Sequence, residues 1–485
     1  MKRTLSLVAL ALAFAAPCLA AEPSSGGLRA GAAAVDITPK EFPVSVPGLF
    51  TARKADKAHD PLHARAVVLE NGTTTMALVL VDSIGVPQEA LDEAKAMAAK
   101  KCGMATEKML VAATHTHTGP PSSVKTGPAP EVAYRQLLIA GIAEAIVRAH
   151  AALRPAAVGA AVEAMPEEVY NRRWFLKPGK MPPNPFGEYD QVKMNPTRSP
   201  DVLDRPAGPT DPDLTILSVH DAKSGQPLAL VANYTLHYVG GVPEGELSAD
   251  YFGEFARVMK LRAGGGDDFV AMMFNGAQGD AINRPFLTPL PVCKPFERIQ
   301  IVAGKAADAA MRAHASIATH QQDVRLAMVQ RALTLKTRRP TAEQIAWANK
   351  VLAITDQAER DKLPRLAEAY ARRVLGMVKN PETVTVLLQA LQVGELAICT
   401  IPFEAFVEIG LELKQRSPFA RTMVIGLANG TNGYLPTPEQ HKLGGYETWL
   451  STNRVQKDAS VLIVKELVEM LKELKTGSAQ ASAAK

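Results

Sequence analysis

The sequence predicts an α/β fold in which mixed β-sheets pack with flanking helices. Three observations carry this. From Gly31 onward, short apolar or β-branched runs alternate with longer stretches at helical spacing; no repeat period runs through the chain; and 485 residues at 47% hydrophobic and 21% charged have the composition and length of a globular protein with a sizeable core. The formal net charge of +5 falls by two if a leader containing Lys2 and Arg3 is removed, too small an excess to argue for nucleic acid or an anionic membrane as partner.

That leader comes first. Lys2 and Arg3 form a positive start, Leu5 to Ala16 an apolar run too short to span a bilayer, and Cys18-Leu19-Ala20 a small-residue exit, so residues 1–20 read as a signal peptide cut after Ala20 or Ala21. The predicted location is therefore periplasmic or secreted. Pro17 before Cys18 argues against a lipid-attachment site. No later window offers ~18 consecutive apolar residues, so the mature chain has no predicted transmembrane anchor. Cys102, Cys293 and Cys399 remain; an odd count without a CxxC pair excludes a disulfide scaffold.

Strands are predicted at Ala34–Pro39, Ala64–Glu70, Met76–Asp82 and Met109–Ala113, bounded by turn residues such as Asn71-Gly72 and Gly119-Pro120. Helices are predicted at Pro87–Lys101 and at Ala129–Leu153, where Leu137, Leu138, Ile142 and Ile146 share a face and Arg154-Pro155 stops the run. Later helices fall at Tyr251–Arg262, Phe296–Ser316, Thr341–Leu352, Leu363–Val378, Glu404–Gln415 and Val455–Leu474. Asn171 to Gly208 keeps neither period and interleaves Pro, Gly and basic residues with aromatics, which predicts a long surface loop acting as a lid. Residues 476–485 read as a flexible tail.

Chemistry concentrates at strand ends. In Met109-Leu-Val-Ala-Ala-Thr-His-Thr-His-Thr-Gly-Pro120, extended backbone would send His115 and His117 to one face, a metal-ligating arrangement rather than a simple strand cap. His237 ends a second apolar strand before Gly240-Gly241. His59, His63, His150, His220, His314, His320 and His441 lack such context and read as structural or solvated. Phe274-Asn-Gly-Ala-Gln-Gly-Asp280 is a glycine-rich turn after a buried strand, either an anion cradle or a tight turn with Asp280 capping a helix; it lacks the phosphate-loop spacing. Glu404 follows a Pro-bounded turn, and Tyr434 and Tyr446 sit in glycine-rich loops.

In this order the motifs resemble the neutral, non-lysosomal ceramidases, zinc-dependent hydrolases that cut the amide of N-acylsphingosines. The likeness runs from Gly31-Ala-Ala-Ala-Val-Asp-Ile-Thr-Pro39 to about Tyr446 and includes the His-Thr-His-Thr-Gly-Pro string, His237, Gly279-Asp280, Pro402-Phe-Glu404 and the tyrosine pair. It implies a ceramidase-like catalytic domain over residues 28–475, with His115, His237, Glu404 and Tyr434 as Zn2+ ligands and His117, Arg172 and Tyr446 against the scissile group; Arg173 is the alternative to Arg172. Two features depart from the family. Ile282 stands where those enzymes carry a serine, which excludes covalent catalysis through that position, and where the resemblance leads one to expect a C-terminal β-rich domain the sequence runs only about forty residues past Tyr446, as one predicted helix and a polar tail.

The expected function is an exported zinc-dependent hydrolase cleaving an amide of a small-molecule or lipid N-acyl substrate, with sphingolipid-like substrates included. A zinc ion lowers the pKa of bound water toward about 7, so hydrolysis does not need the serine. A zinc esterase or lactonase on the same scaffold, or a zinc-stabilised binding protein without turnover, are the alternatives. Basic residues of the 171–208 loop, Arg172, Arg173, Lys177 and Lys180, read either as a solvated loop face, the commoner meaning of such charges, or as a hint of an acidic or carboxylate-bearing substrate.

Overall fold

A computed structural model describes residues 27–48 and 50–477. The predicted leader, and the predicted tail beyond residue 477, lie outside the described residues.

Eight strands form the larger sheet: β1 (Arg29–Asp36), β2 (His63–Glu70), β3 (Thr75–Val81), β4 (Met109–Ala113), β5 (Arg154–Ala164), β6 (Asp213–Asp221), β7 (Pro227–Tyr234) and β8 (Val270–Asn275). Their order is β8-β7-β6-β5-β1-β2-β3-β4. Only the edge pairs β7–β8 and β3–β4 are parallel. The two halves join through a short β1–β5 pairing, Arg29 opposite Pro155 and Ala30 opposite Arg154. A second sheet has the order β9-β10-β11-β13, from β9 (Leu326–Lys336), β10 (Thr383–Val393), β11 (Leu396–Ile401) and β13 (Arg421–Gly426). Between its last members runs β12 (Glu404–Ala405), which pairs in parallel with β14 (Tyr434–Leu435).

Strand periodicity fixes the layers. In β3, Ala77, Val79 and Val81 pack under α1 (Gln88–Cys102) and α2 (Ala129–Ala151), while Met76, Leu78 and Leu80 point to the other face and meet Leu391, Ile398 and Met423 of the second sheet. β11 does the same: Leu396 and Ile398 enter the inter-sheet core, and Ala397, Cys399 and Ile401 face α7 (Val407–Arg416) and α8 (Ala459–Thr476). With α3 (Asp250–Ala263) and α4 (Glu297–Ala315) covering β6 to β8, the order of layers is helix, sheet, sheet, helix. A small helix pair, α5 (Ala342–Leu352) and α6 (Ala367–Gly376), packs through Ala348, Val351, Ala371 and Val374. This is the mixed-sheet α/β architecture that the alternation predicts.

Three details differ from expectation. The first strand lies at Arg29–Asp36 rather than 34–39, because the alanine-rich run carries no β-branched signal until Val35 yet pairs in full register with β2. Glu404 belongs to β12, and the predicted helix starts only at Val407. The 171–208 segment is not structureless: Arg173–Leu176, Val192–Met194 and Leu203–Pro206 form a three-stranded sheet, with Arg173 fully buried. Cys102, Cys293 and Cys399 are all unpaired, and no helix among the described residues is long and apolar enough to cross a membrane.

Candidate metal centre

The strand β4 stops at Ala113, two residues before its histidine pair, so the two imidazoles do not share a face by strand alternation. His115 instead takes a left-handed backbone (φ 65°), and this bend turns its ring toward His117. Side chains of the intervening threonines hold the bend: Thr116 Oγ1 and Thr118 Oγ1 donate to the Ser248 carbonyl at 2.7 and 3.0 Å. Asn275, the last residue of β8, donates to the Thr114 carbonyl, and His237 follows the neighbouring β7 by three residues. The ends of opposite sheet edges thus meet at the histidines.

Glu404 arrives from the second sheet. Gly279 N donates to the Ala405 carbonyl at 2.7 Å, and a Cβ at position 279 would lie 2.4 Å from the Glu404 carbonyl oxygen, so only glycine allows β12 this close. The glycine-rich turn is therefore a seat for Glu404. Asp280 accepts from Val407 N at 2.8 Å and from Asn171 Nδ2 at 2.8 Å, capping α7 rather than cradling an anion; burial pushes its carboxyl up to about 6. Tyr434 is the register partner of Glu404 in the β12–β14 pair and hydrogen-bonds its carboxylate.

The donor atoms converge. His115 Nε2 lies 3.1 Å from His117 Nε2 and 3.1 Å from Glu404 Oε2, and His237 Nε2 lies 3.8 Å from the same oxygen. In a tetrahedral zinc site with bonds near 2.05 Å, ligand atoms stand about 3.4 Å apart, in the middle of this range. Outer contacts orient the rings: His115 Nδ1 donates to the Ile84 carbonyl (2.5 Å) and His237 Nδ1 to the Gln278 carbonyl (3.1 Å), which turns each Nε2 toward the cluster. His237 Nε2 and Glu404 Oε2 are buried without a hydrogen-bond partner. Two orphaned acceptors facing one point are what a divalent ion would satisfy. Burial pushes the His117 and His237 imidazoles well below their ordinary pKa, toward the neutral form. Burial alone would raise the Glu404 carboxyl, but His115, Arg172 and Tyr434 outweigh it and keep it anionic.

The remaining predicted residues are here too. Arg172 hydrogen-bonds the Tyr434 hydroxyl, its guanidinium lies 5.3 Å from that ring's centroid, and the Tyr446 ring stands 5.6 Å from that of Tyr434. Arg173 points the other way, fully buried against Glu447, Gln440 and the Gly444 carbonyl, so Arg172 is the arginine at the site. Sequence reading missed the groups behind them. Glu447, itself 0% exposed, accepts from Arg172 Nε (3.1 Å) and Arg173 Nη1 (2.6 Å), and Tyr238 stacks on His117 with centroids 3.9 Å apart. A single loop glutamate and a tyrosine beside His237 carry no periodic signal that would expose these roles.

Two cavities open on the cluster. One, of about 380 Å³, is lined by His117, His237, Tyr238 and Ile282; the other, of about 450 Å³, by Glu404, Tyr434 and Tyr446. Arg53, Arg198 and Arg284 line the first and Arg373 and Arg454 the second.

No protein-family model matches the chain, and no curated protein matches it. Among solved structures, the neutral ceramidase from Pseudomonas aeruginosa aligns with a TM-score of 0.71 over 93% of this chain and 75% of that one, at 18% sequence identity. The chain has the neutral ceramidase fold. A ceramidase complexed with C2 gives the same picture, with a TM-score of 0.71, 18% identity, and 93% and 76% of the two chains covered. At this identity the likeness is one of architecture. In this neutral ceramidase fold, side chains from β12, β14 and the loops after β4 and β7 meet between two cavities.

Proposed function

We propose that the chain is an exported, zinc-dependent hydrolase that cleaves the amide bond of an N-acylated substrate bearing an anionic group. The observation that carries the reading is the convergence of His115, His237 and Glu404 on one point, with two buried acceptors lacking partners, between two cavities large enough for substrate. His115, His237, Glu404 and Tyr434 would hold the ion, which supplies a Lewis acid and a water of lowered pKa for attack on a carbonyl.

The protein's own groups do the rest. His117 is neutral, and its Nε2 faces the cluster, where it can take a proton and pass it to the departing nitrogen. Arg172 and Tyr446 supply donors to the oxygen on which charge develops; one such donor is typically worth ~3 kcal/mol. Ile282 lines the cavity beside His117 and contributes no hydroxyl, consistent with direct hydrolysis. Arg198 and Arg284 repel each other across the first mouth, and neither is ion-paired with a carboxylate among the described residues. Unneutralised cations at that mouth favour a carboxylate-bearing N-acyl compound over a neutral lipid.

The purified mature chain tests this. Metal analysis with a panel of N-acyl amino acids, N-acylsphingosine and matched esters should give bound zinc and fastest release of fatty acid from the N-acyl amino acids. Ester-only turnover would favour the esterase alternative, and bound zinc without turnover a binding protein. Its first residue should be Ala21 or Glu22, read from the intact mass.

A further inference from the structure

A second group of three histidines lies at the other end of the β6–β7 hairpin. His220 on β6 is opposite Pro227 at the start of β7, whereas His237 follows the end of β7, so about 23 Å of strand separates the two clusters. We propose that His220, His314 and His320, with the Ser218 hydroxyl, form a second binding site for a divalent transition-metal ion such as Zn2+.

The donors come from three pieces of chain. His220 shares a face of β6 with Ser218; His314 lies in the last turn of α4; His320 sits in the loop that follows. One ring nitrogen from each histidine falls within 4.8 Å of the others. Ser218 Oγ is 3.2 Å from His314 Nδ1 and 3.1 Å from His320 Nε2, at the centre of the group. The His220 ring donates a hydrogen bond to the Gly225 backbone carbonyl, and its Nε2 is buried with no partner. A backbone bond on one nitrogen and an unpartnered second nitrogen is the arrangement of a ligating imidazole. No carboxylate is ion-paired with any of the three among the described residues, and burial shifts all three imidazoles toward the neutral form.

The surrounding backbone builds the site. His320 is fixed by reciprocal bonds between Val158 and Gln321 (2.9 and 2.8 Å) and by Leu28 N to the Gln322 carbonyl at 2.8 Å. Gly159, opposite Ser218 on β5, makes the approach possible: a Cβ there would stand 2.5 Å from Ile317 Cγ2 and 3.3 Å from His320 Cδ2. The His220 and His320 rings stack with centroids 4.1 Å apart, and all three side chains are half-buried. Three imidazoles with oxygen donors suit zinc, nickel or copper and not magnesium or calcium. Closing the donors from 4.8 Å to a tetrahedral edge takes a movement on the order of 1 Å, within reach of half-exposed rings.

The test counts zinc in the full mature chain after dialysis against buffered Zn2+. Wild type should hold two equivalents, the His115→Ala/His237→Ala variant one, and the His220→Ala/His320→Ala variant one, with fatty-acid release by the last unchanged. If the first site fails to bind, one equivalent should still survive in His115→Ala/His237→Ala and vanish in His220→Ala/His320→Ala. Equal zinc in wild type and His220→Ala/His320→Ala overturns the proposal. If that variant misfolds, diethyl pyrocarbonate labelling of wild type decides: Zn2+ should cut labelling of His220 and His320 severalfold, and identical labelling with and without Zn2+ overturns it.

Discussion

Gly279 and Glu447 show how single residues set the centre without touching a substrate. Gly279→Ala would force a methyl group against the Glu404 carbonyl; we expect a loss of about 1–3 kcal/mol in urea unfolding, and weaker zinc retention than any surface alanine variant shows. Glu447 neutralises two buried arginines at once. Its replacement by Ala leaves both charges uncompensated and should cost about 3–5 kcal/mol by the same assay, with turnover falling because Arg172 loses its anchor. His115→Ala and His237→Ala should lose metal and turnover together, whereas His117→Ala should keep metal and lose turnover; zinc retained in both of the first two would refute the ligand assignment. The histidine pair, His237, the carboxylate and the two tyrosines are legible because they stand in an ordered series of motifs, whereas their proposed roles, and Arg172 altogether, come only from the family resemblance. Their supports are not legible, since Glu447, Tyr238 and the bend at His115 arise from tertiary contact, which no local spacing encodes.

Elements follow the same division. The helices at 88–102, 129–151 and 297–315 lie within a few residues of their predicted bounds because 3.6-residue periodicity and Pro or Gly stops act locally. The small sheet of Arg173–Leu176 and its partners carries no legible period because its strands are three or four residues long and one of its two pairings is broken by a bulge, too short for alternation to register. Helix α1 carries a titrating core group. Lys95 is buried with its Nζ 2.7 Å from Asn429 Oδ1, and burial lowers its pKa from 10.5 to about 8. Between those values the unfolded chain keeps a proton that the folded chain has released, so stability rises with pH over that window. Urea midpoints at pH 8 and pH 10 should show this rise in wild type and its absence in Lys95→Met. Asp280→Ala, which uncaps α7 across 127 positions of sequence, should cost about 1 kcal/mol.

For the whole molecule, the sandwich of two sheets between helices was predictable as a class, while the curl that brings β4 and β8 ends together was not: two residue pairs join the sheet halves, and their angle depends on packing against the second sheet. Since the proposed ligands come from four separate segments, the native state alone would bind the ion. Saturating zinc at 100 times its dissociation constant should add about 2.7 kcal/mol, read as a rise in melting temperature that is smaller in His115→Ala/His237→Ala. On that proposed assignment, the spread of the ligands would also set a timetable for maturation. A chain still emerging from a ribosome or a translocation pore presents both imidazoles long before Glu404 and Tyr434 exist, so the growing polypeptide has no competent cage, and loading must wait until its final segments have docked.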